Sequence, residues 1–508
     1  MADIQDLAEL VTQNWQSGWH DKARQCLEGI RVGSRYEKKA EKATAIRSPN
    51  MAADGTSVPY AAYINPANPD SGAYGGISFV LFPFANGPSL IAFGVGTQGL
   101  APDERVLGRP GHARKLAAIC ACVNEKFGKG KRIAWAKNDP CRTDQDMPDG
   151  VKKDVCPCLP DEDGNADESY NATIEKYGSV IYAAVNPAGL SAADVETILK
   201  MFLDVYFKEC GVKVKGAANK KEAEKFEVEY QSHLFPTVSK DEMKELLDLR
   251  HFVIVEGPPG TGKTRVATQL ATDYAGCMSI QFHPNMTYEQ FVGGLFPVQD
   301  SESSTGFSFK PHPGYLMTAI QKAKALTSGQ KFLLHIDEIN RADLSRVLGE
   351  AIMLFEPKAD TPRTIELNYD FPGVGDRKLS VPENLHVLGT MNSADRSIAI
   401  LDIAIRRRFA FVLLYPQMKV VVEKGDEFSQ KAFNKLLSIF IEKATNENFK
   451  YMPGHSYFIK GEGVTDTKRQ IETELLPLLR EYIEQGYVAG FADDIAAYIQ
   501  DYEILCRN

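Results

Sequence analysis

Residues Gly257 to Thr264 read Gly-Pro-Pro-Gly-Thr-Gly-Lys-Thr, and this stretch restricts the fold more than any other in the chain. A glycine, four residues and then Gly-Lys-Thr is the spacing of a phosphate-binding loop. Glycines let successive backbone N–H groups turn inward around a phosphate. A lysine at the loop-to-helix junction can reach the β- and γ-phosphates, and the hydroxyl after it can ligate Mg²⁺. The helix that follows aims its positive end at the same anion. The flanks agree. His251 to Glu256 is a β-branched and aromatic run that predicts a strand, and Arg265 to Leu270 predicts the opening of a helix. Gly257, Pro258, Gly260, Thr261, Gly262, Lys263 and Thr264 are the candidate phosphate-binding residues, with Thr264 also a candidate Mg²⁺ ligand.

The chain has 508 residues, too many for one core, so two or three domains are expected. No run approaches the roughly 18 apolar residues of a membrane span. The opening Met-Ala-Asp-Ile-Gln-Asp lacks a basic-then-apolar leader pattern, and a cytoplasmic protein is expected. A net charge of −9 argues against nucleic-acid binding by the whole surface but leaves room for a local basic patch. Nine cysteines without a secretory signal read as free thiols. Cys120, Cys122, Cys141, Cys156 and Cys158 invite a zinc reading, but the pairs are spaced Cys-x-Cys where zinc ribbons use two intervening residues. Thiols remain the expectation.

Residues 1–215 read as a separate α+β domain. A helical pattern runs from Asp3 to about Lys42, and strands are expected at Tyr60–Ile64, Ile77–Phe84, Leu90–Val95 and Ser179–Val185. Ser191 with Asp194 is a capping box opening a helix. Asp139 to Glu168, rich in Asp, Pro and Gly, reads as a long loop. Gly94-Val-Gly-Thr-Gln-Gly99 has dinucleotide-site spacing, but Leu-Ala-Pro-Asp follows instead of a helix, and it reads as a turn. The lysine-rich stretch Lys213 to Lys225 marks a boundary, with a linker over 216–235. Ser239 to Glu242 caps a helix ahead of the first strand of a nucleotide-binding core, 236–415. Residues 416–508 are mostly helical in pattern and read as a lid.

Lys331 to Ile336 is an apolar strand that ends in Asp337-Glu338. Such a strand delivers Asp337 to the sheet edge, where it can hold the Mg²⁺ shell. Glu338 can then orient and polarise the attacking water. Glu383 to Thr390 is another strand, leading to Asn392, a neutral polar side chain able to hold the water or the γ-phosphate. Arg406-Arg407-Arg408 comes next. An arginine acting on a neighbour's nucleotide adds charge to the transition state and requires heterologous contacts, normally a closed ring.

Together these motifs resemble an AAA+ ATPase and, more narrowly, the McrB family, the GTP-hydrolysing motors of modification-dependent restriction systems. The resemblance is carried by Gln281–Phe291, Ile336–Ser345, Met391–Ser397, Asp402–Phe409 and Pro453–Phe458. It implies an α/β fold: an AAA+ P-loop NTPase module with a helical lid, preceded by a separate α+β N-terminal domain. It places Asn392, Asp395 and Arg396 on the family signature and makes Arg407 and Arg408 trans-acting arginines. It also implies GTP in preference to ATP, Mg²⁺, and a homo-oligomeric ring, normally a hexamer. The implied partners are a McrC-like nuclease subunit and DNA, the latter through the N-terminal domain. Either His455 and Ser456 approach the nucleotide from the lid or, as is common for a lone histidine in an aromatic setting, His455 is a packed, hydrogen-bonded core residue.

Two other readings stay open. A MoxR-like AAA+ chaperone would remodel proteins by the same chemistry. A nucleotide-gated sensor would use slow hydrolysis as a switch. The N-terminal half matches no recognised reader of modified bases. Its aromatics Tyr60, Tyr63, Phe82 and Trp135 either stack on an extruded base or fill a core, and Lys126 to Lys131 could position phosphates.

Overall fold

The computed structural model describes residues 3–507 except 49–57, 71–73, 98–103, 156–172, 174, 302–305, 357–362, 372–376, 395–402 and 461–465. The chain divides into two compact units, residues 1–234 with 441–444 and residues 235–440 with 445–508.

The first unit is built on strands β1 (Ala45–Arg47), β2 (Ala61–Ile64), β3 (Gly75–Phe84), β4 (Gly87–Thr97), β5 (Ala134–Ala136) and β6 (Ile181–Val185). They form an antiparallel sheet of order β1-β2-β3-β4-β6-β5. Every residue of β3 is buried because both faces of the sheet are covered. Phe79 and Leu81 enter a core with the helices Ile4–Val11, Trp19–Val32, Pro110–Phe127 and Ala192–Glu209. Val80 and Phe82, on alternate positions, enter a second core with Met147, Val151 and Val155. The capping box of Ser191 and Asp194 is present.

Several expectations are corrected here. Gly94 and Gly96 lie inside β4, paired with Ser78 and Gly76, and form a strand instead of a turn. A Cβ on Gly96 would stand 2.1 Å from the Tyr74 carbonyl oxygen, so close backbone approach explains the glycine. The expected linker 216–235 is largely a helix, Ala217–Leu234, which belongs to the first unit, while Phe235 opens the second. Its buried side chains are Phe226 and Tyr230, too few to register as a periodicity among lysines and glutamates. Part of the expected loop, Asp149–Val155, is a helix. Tyr60, Phe82 and Trp135 pack in or against the second core and Tyr63 in the first, so these rings fill cores. Lys126 is ion-paired with Glu229. Cys120 and Cys122 are buried in a helix, and Cys156 and Cys158 lie outside the described residues. Among the described residues no cluster of His, Cys, Asp and Glu has the grouping of a metal site, and no helix is long and apolar enough to cross a membrane.

The second unit carries strands β7 (Phe252–Gly257), β8 (Gly276–Gln281), β9 (Gly293–Gln299), β10 (Phe307–Pro313), β11 (Phe332–Asp337), β12 (Ile365–Glu366), β13 (Lys378–Leu379), β14 (Leu385–Asn392) and β15 (Ala410–Leu413). Five of them form a parallel sheet of order β15-β7-β14-β11-β8. Its inner strands β7, β14 and β11 read as apolar runs because both faces are buried, while the edge strands β15 and β8 are partly exposed. Val253, Val255, Leu333 and Leu388 enter one core, and Ile254, Leu334, Ile336 and Val387 the other. A parallel sheet brings the carboxyl ends of its strands to one edge, where α/β proteins hold their ligands. Gly257 and Asn392 are register partners at that edge, and Asp337 ends the adjoining strand. The lid is helical, with Met418–Lys424, Glu427–Lys443, Leu476–Glu484 and Ala492–Arg507 as its main helices.

Candidate functional site

β7 ends at Gly257, and the helix Lys263–Ala271 begins after Gly262. Gly260 and Gly262 have φ of +81° and +84°, in the left-handed region that favours glycine. The Thr261 hydroxyl donates to the Pro258 carbonyl at 2.9 Å and ties the loop together. Lys263 Nζ donates to the Gly257 and Pro258 carbonyls, both at 2.9 Å. Burial pushes this ammonium down to about 8, and the Glu338 and Asp337 carboxylates pull it only part of the way back. Phosphate charge arriving beside it favours its protonated form.

The Thr390 hydroxyl, on β14, donates to Asp337 Oδ1 and accepts the Glu338 backbone N–H at 3.3 Å. Glu338 itself adopts φ 52° and ψ 46°, a left-handed turn that lifts the chain off the sheet into the 3₁₀ turn Ile339–Arg341. Arg341 Nε lies 3.6 Å from Glu338 Oε2. The Asp337 carboxylate and the exposed Thr264, in the first turn of the phosphate-loop helix, offer hard oxygen donors. That donor chemistry fits Mg²⁺.

Asn392 closes β14 beside the phosphate loop. The Ser393 N–H donates to the Gly257 carbonyl at 3.1 Å, and Asn392 Oδ1 accepts the Ala394 N–H at 3.1 Å. Asn340 Nδ2 donates to the Asn392 carbonyl at 3.3 Å. Asp395 and Arg396 lie outside the described residues. The arginine run divides by environment. Arg406 sits over the Phe411 ring and Arg407 is exposed. Arg408 is only 5% exposed, donates to the Ala404 carbonyl at 2.9 Å and lies 3.8 Å from Glu356.

The lid loop lies directly on the phosphate loop. The Gly454 N–H donates to the Pro259 carbonyl at 2.8 Å, and the Ser456 N–H to the Gly260 carbonyl at 3.0 Å. A Cβ on Gly454 would stand 2.0 Å from the Gly260 carbonyl carbon, so only glycine fits. These bonds hold two loop carbonyls on the lid side, which leaves the N–H groups across the same peptides to face the other way.

Two residues of the site, Thr390 and Asn340, are not evident as site residues from sequence. Thr390 has a signal: it lies two residues before Asn392, and strand alternation puts the two on one face. Asn340 lies in the motif Ile336–Ser345, but its bond to β14 is purely tertiary and nothing in the spacing points to it.

Fold and site together define a P-loop nucleoside triphosphatase of the AAA+ class. Residues 252–409 match the AAA domain of the dynein-related subfamily. The chain is 30% identical over 336 residues to the McrB subunit of the type IV methyl-directed restriction enzyme EcoKMcrB of Escherichia coli (strain K12), covering 61% of this chain and 71% of that protein. It is 30% identical over 193 residues to component YdiS of the type II restriction enzyme BsuMI of Bacillus subtilis (strain 168), covering 32% of this chain and 56% of that one. The chain belongs to the McrB family of AAA+ nucleoside triphosphatases.

Proposed function

We propose that the chain is the motor subunit of a DNA restriction or antiphage system. In this reading it hydrolyses GTP in preference to ATP and assembles into a closed ring, normally a hexamer. It acts in the cytoplasm with a separate McrC-like nuclease subunit and reaches DNA through residues 1–234. The observation that carries the motor is the convergence of Lys263, Asp337, Glu338, Asn392 and the lid loop at one sheet edge. The restriction role is supported by the two relatives, each a component of a restriction enzyme.

The roles follow from the chemistry. Lys263 and the loop N–H groups bind the phosphates. Thr264 and Asp337 would hold Mg²⁺, which neutralises phosphate charge. Glu338 orients the attacking water and takes up its proton, and Asn392 holds that water or the γ-phosphate. Asp395 and Arg396 contribute to the nucleotide site as the family signature implies. Arg407, exposed, is the better placed of the two arginines to act on a neighbour's nucleotide. Arg408, buried, holds the helix Ile403–Arg406 through its bond to the Ala404 carbonyl, with Glu356 beside its guanidinium.

GTP and ATP hydrolysis compared at matched concentration, with Mg²⁺ and with or without the nuclease partner, tests the nucleotide. Faster GTP turnover is expected from the McrB resemblance, and a site that pairs the guanine edge would reject adenine because its buried groups would be left unpaired. Faster ATP turnover overturns the GTP reading and leaves the motor standing. DNA binding by the full chain should weaken steeply with salt. No binding to modified, unmodified or single-stranded DNA at low salt would turn the reading toward a protein target.

A further inference from the structure

His455 is left unused by the hydrolytic scheme, yet it stands at the phosphate loop. It opens the 3₁₀ turn His455–Phe458 and is anchored by the Gln417 backbone N–H, which donates to His455 Nδ1 at 3.2 Å. A backbone N–H can only donate, so Nδ1 keeps its lone pair and the neutral ring carries its proton on Nε2. Burial pushes the imidazole down to about 4, with Arg265 and Lys424 adding to the effect, which agrees with a neutral ring. The protonated nitrogen faces the loop. Nε2 lies 3.8 Å from where a Cβ on Gly262 would stand, and Gly262 is the N-cap of the phosphate-binding helix. The approach is held on both sides by the Gly454 and Ser456 N–H bonds to the Pro259 and Gly260 carbonyls. Ser456 Oγ stands 2.5 Å from the Cβ position of Gly260. A fixed N–H donor is thus presented from the lid toward the positive end of the helix Lys263–Ala271.

We propose that His455 is a nucleotide-binding residue whose Nε2–H donates to a phosphate oxygen of the bound nucleotide, tying the lid to the occupied phosphate loop. The inference rests on the nucleoside triphosphatase reading above. A hydrogen bond to an anionic oxygen is of the strong, charge-assisted kind. Losing it should weaken affinity on the order of tenfold.

Two substitutions separate this role from a packing role. His455→Asn keeps an acceptor where Nδ1 meets Gln417 and removes the far donor. His455→Gln keeps an N–H donor near the Nε2 position and gives up the Gln417 bond. Binding of fluorescent nucleoside tri- and diphosphates to the full chain is measured alongside the melting temperature without nucleotide. A phosphate donor predicts about tenfold weaker binding in His455→Asn and binding within about threefold of wild type in His455→Gln. The reverse pattern, equal loss in both, or wild-type binding in His455→Asn overturns the proposal. If the wild-type chain binds no nucleotide, it is the triphosphatase reading that fails.

Discussion

In the proposed scheme Lys263 and Glu338 share one site but serve separate steps. Lys263→Ala should abolish tight nucleotide binding. Glu338→Gln should keep binding and lower turnover by about 10²–10⁴-fold, the usual contribution of a positioned acid–base group. Fluorescent-nucleotide titration and phosphate release separate the two, and normal turnover in Glu338→Gln would remove it from the proton-transfer role. In the first unit, Glu209 offers a stability test. Its buried carboxylate lies 3.1 Å from His112 Nδ1 and 3.5 Å from Lys115 Nζ, and it is also paired with Arg109. Burial alone pushes the carboxyl up, but the His112 hydrogen bond and the charges of Lys115, His112 and Arg109 outweigh it and hold it at about 2. A folded value below the unfolded one, near 4.3, contributes stability that is full above about pH 4.3 and lost as pH falls toward 2. Glu209→Gln should therefore cost on the order of 3 kcal/mol near neutrality, with the gap to wild type closing over that window. All three tryptophans, Trp15, Trp19 and Trp135, lie in residues 1–234, so their fluorescence during denaturant unfolding reports on this unit. A gap that stays constant with pH would refute the role given to the carboxylate.

At the scale of elements, the decisive contact is between two loops, Gly257–Thr264 and Pro453–Phe458. Their backbones meet so closely that any Cβ at Gly454 must drive them apart. Gly454→Ala should lower nucleotide affinity by more than about tenfold, since the bonds at Pro259 and Gly260 that orient the loop peptides would be broken. Gly490, in the same helical region, has open space within 4 Å of where a Cβ would stand and serves as the control, with Gly490→Ala binding as wild type. Equal affinity in the two variants would show that lid contact does not shape the phosphate loop. The helix Ala217–Leu234 reads as a linker in sequence for a reason of packing. A surface helix that buries two aromatic side chains has almost no amphipathic signal, and only the core it covers identifies it.

For the whole molecule, the question is whether sites are completed by neighbours. Arg407→Ala should leave the nucleotide affinity of a monomer nearly intact and cut turnover on the order of 10³-fold, as loss of a trans-acting arginine does. Mixing Arg407→Ala with Lys263→Ala chains should recover part of the activity, because mixed rings contain sites with both groups intact. No recovery in rings shown by native mass spectrometry to be mixed would argue against action in trans.

The phosphate loop, the strand ending in Asp337-Glu338, the strand ending near Asn392 and the α/β character of the second unit are legible in the sequence. Each is written locally: an apolar run gives the strand, and the polar residue at its end falls on the ligand-bearing edge of a parallel sheet. The remaining features follow from contacts between distant segments. Thr390 bonds across strands to Asp337 and Glu338, His455 gains a defined tautomer from Gln417, and Gly454 meets Gly260 far away in the chain. Arg407 and Arg408 are chemically alike and adjacent, yet one is exposed and the other buried beside Glu356. Periodicity and motif spacing record what neighbours along the chain require. Hydrogen bonds and burial between distant segments depend on which surfaces the fold presses together.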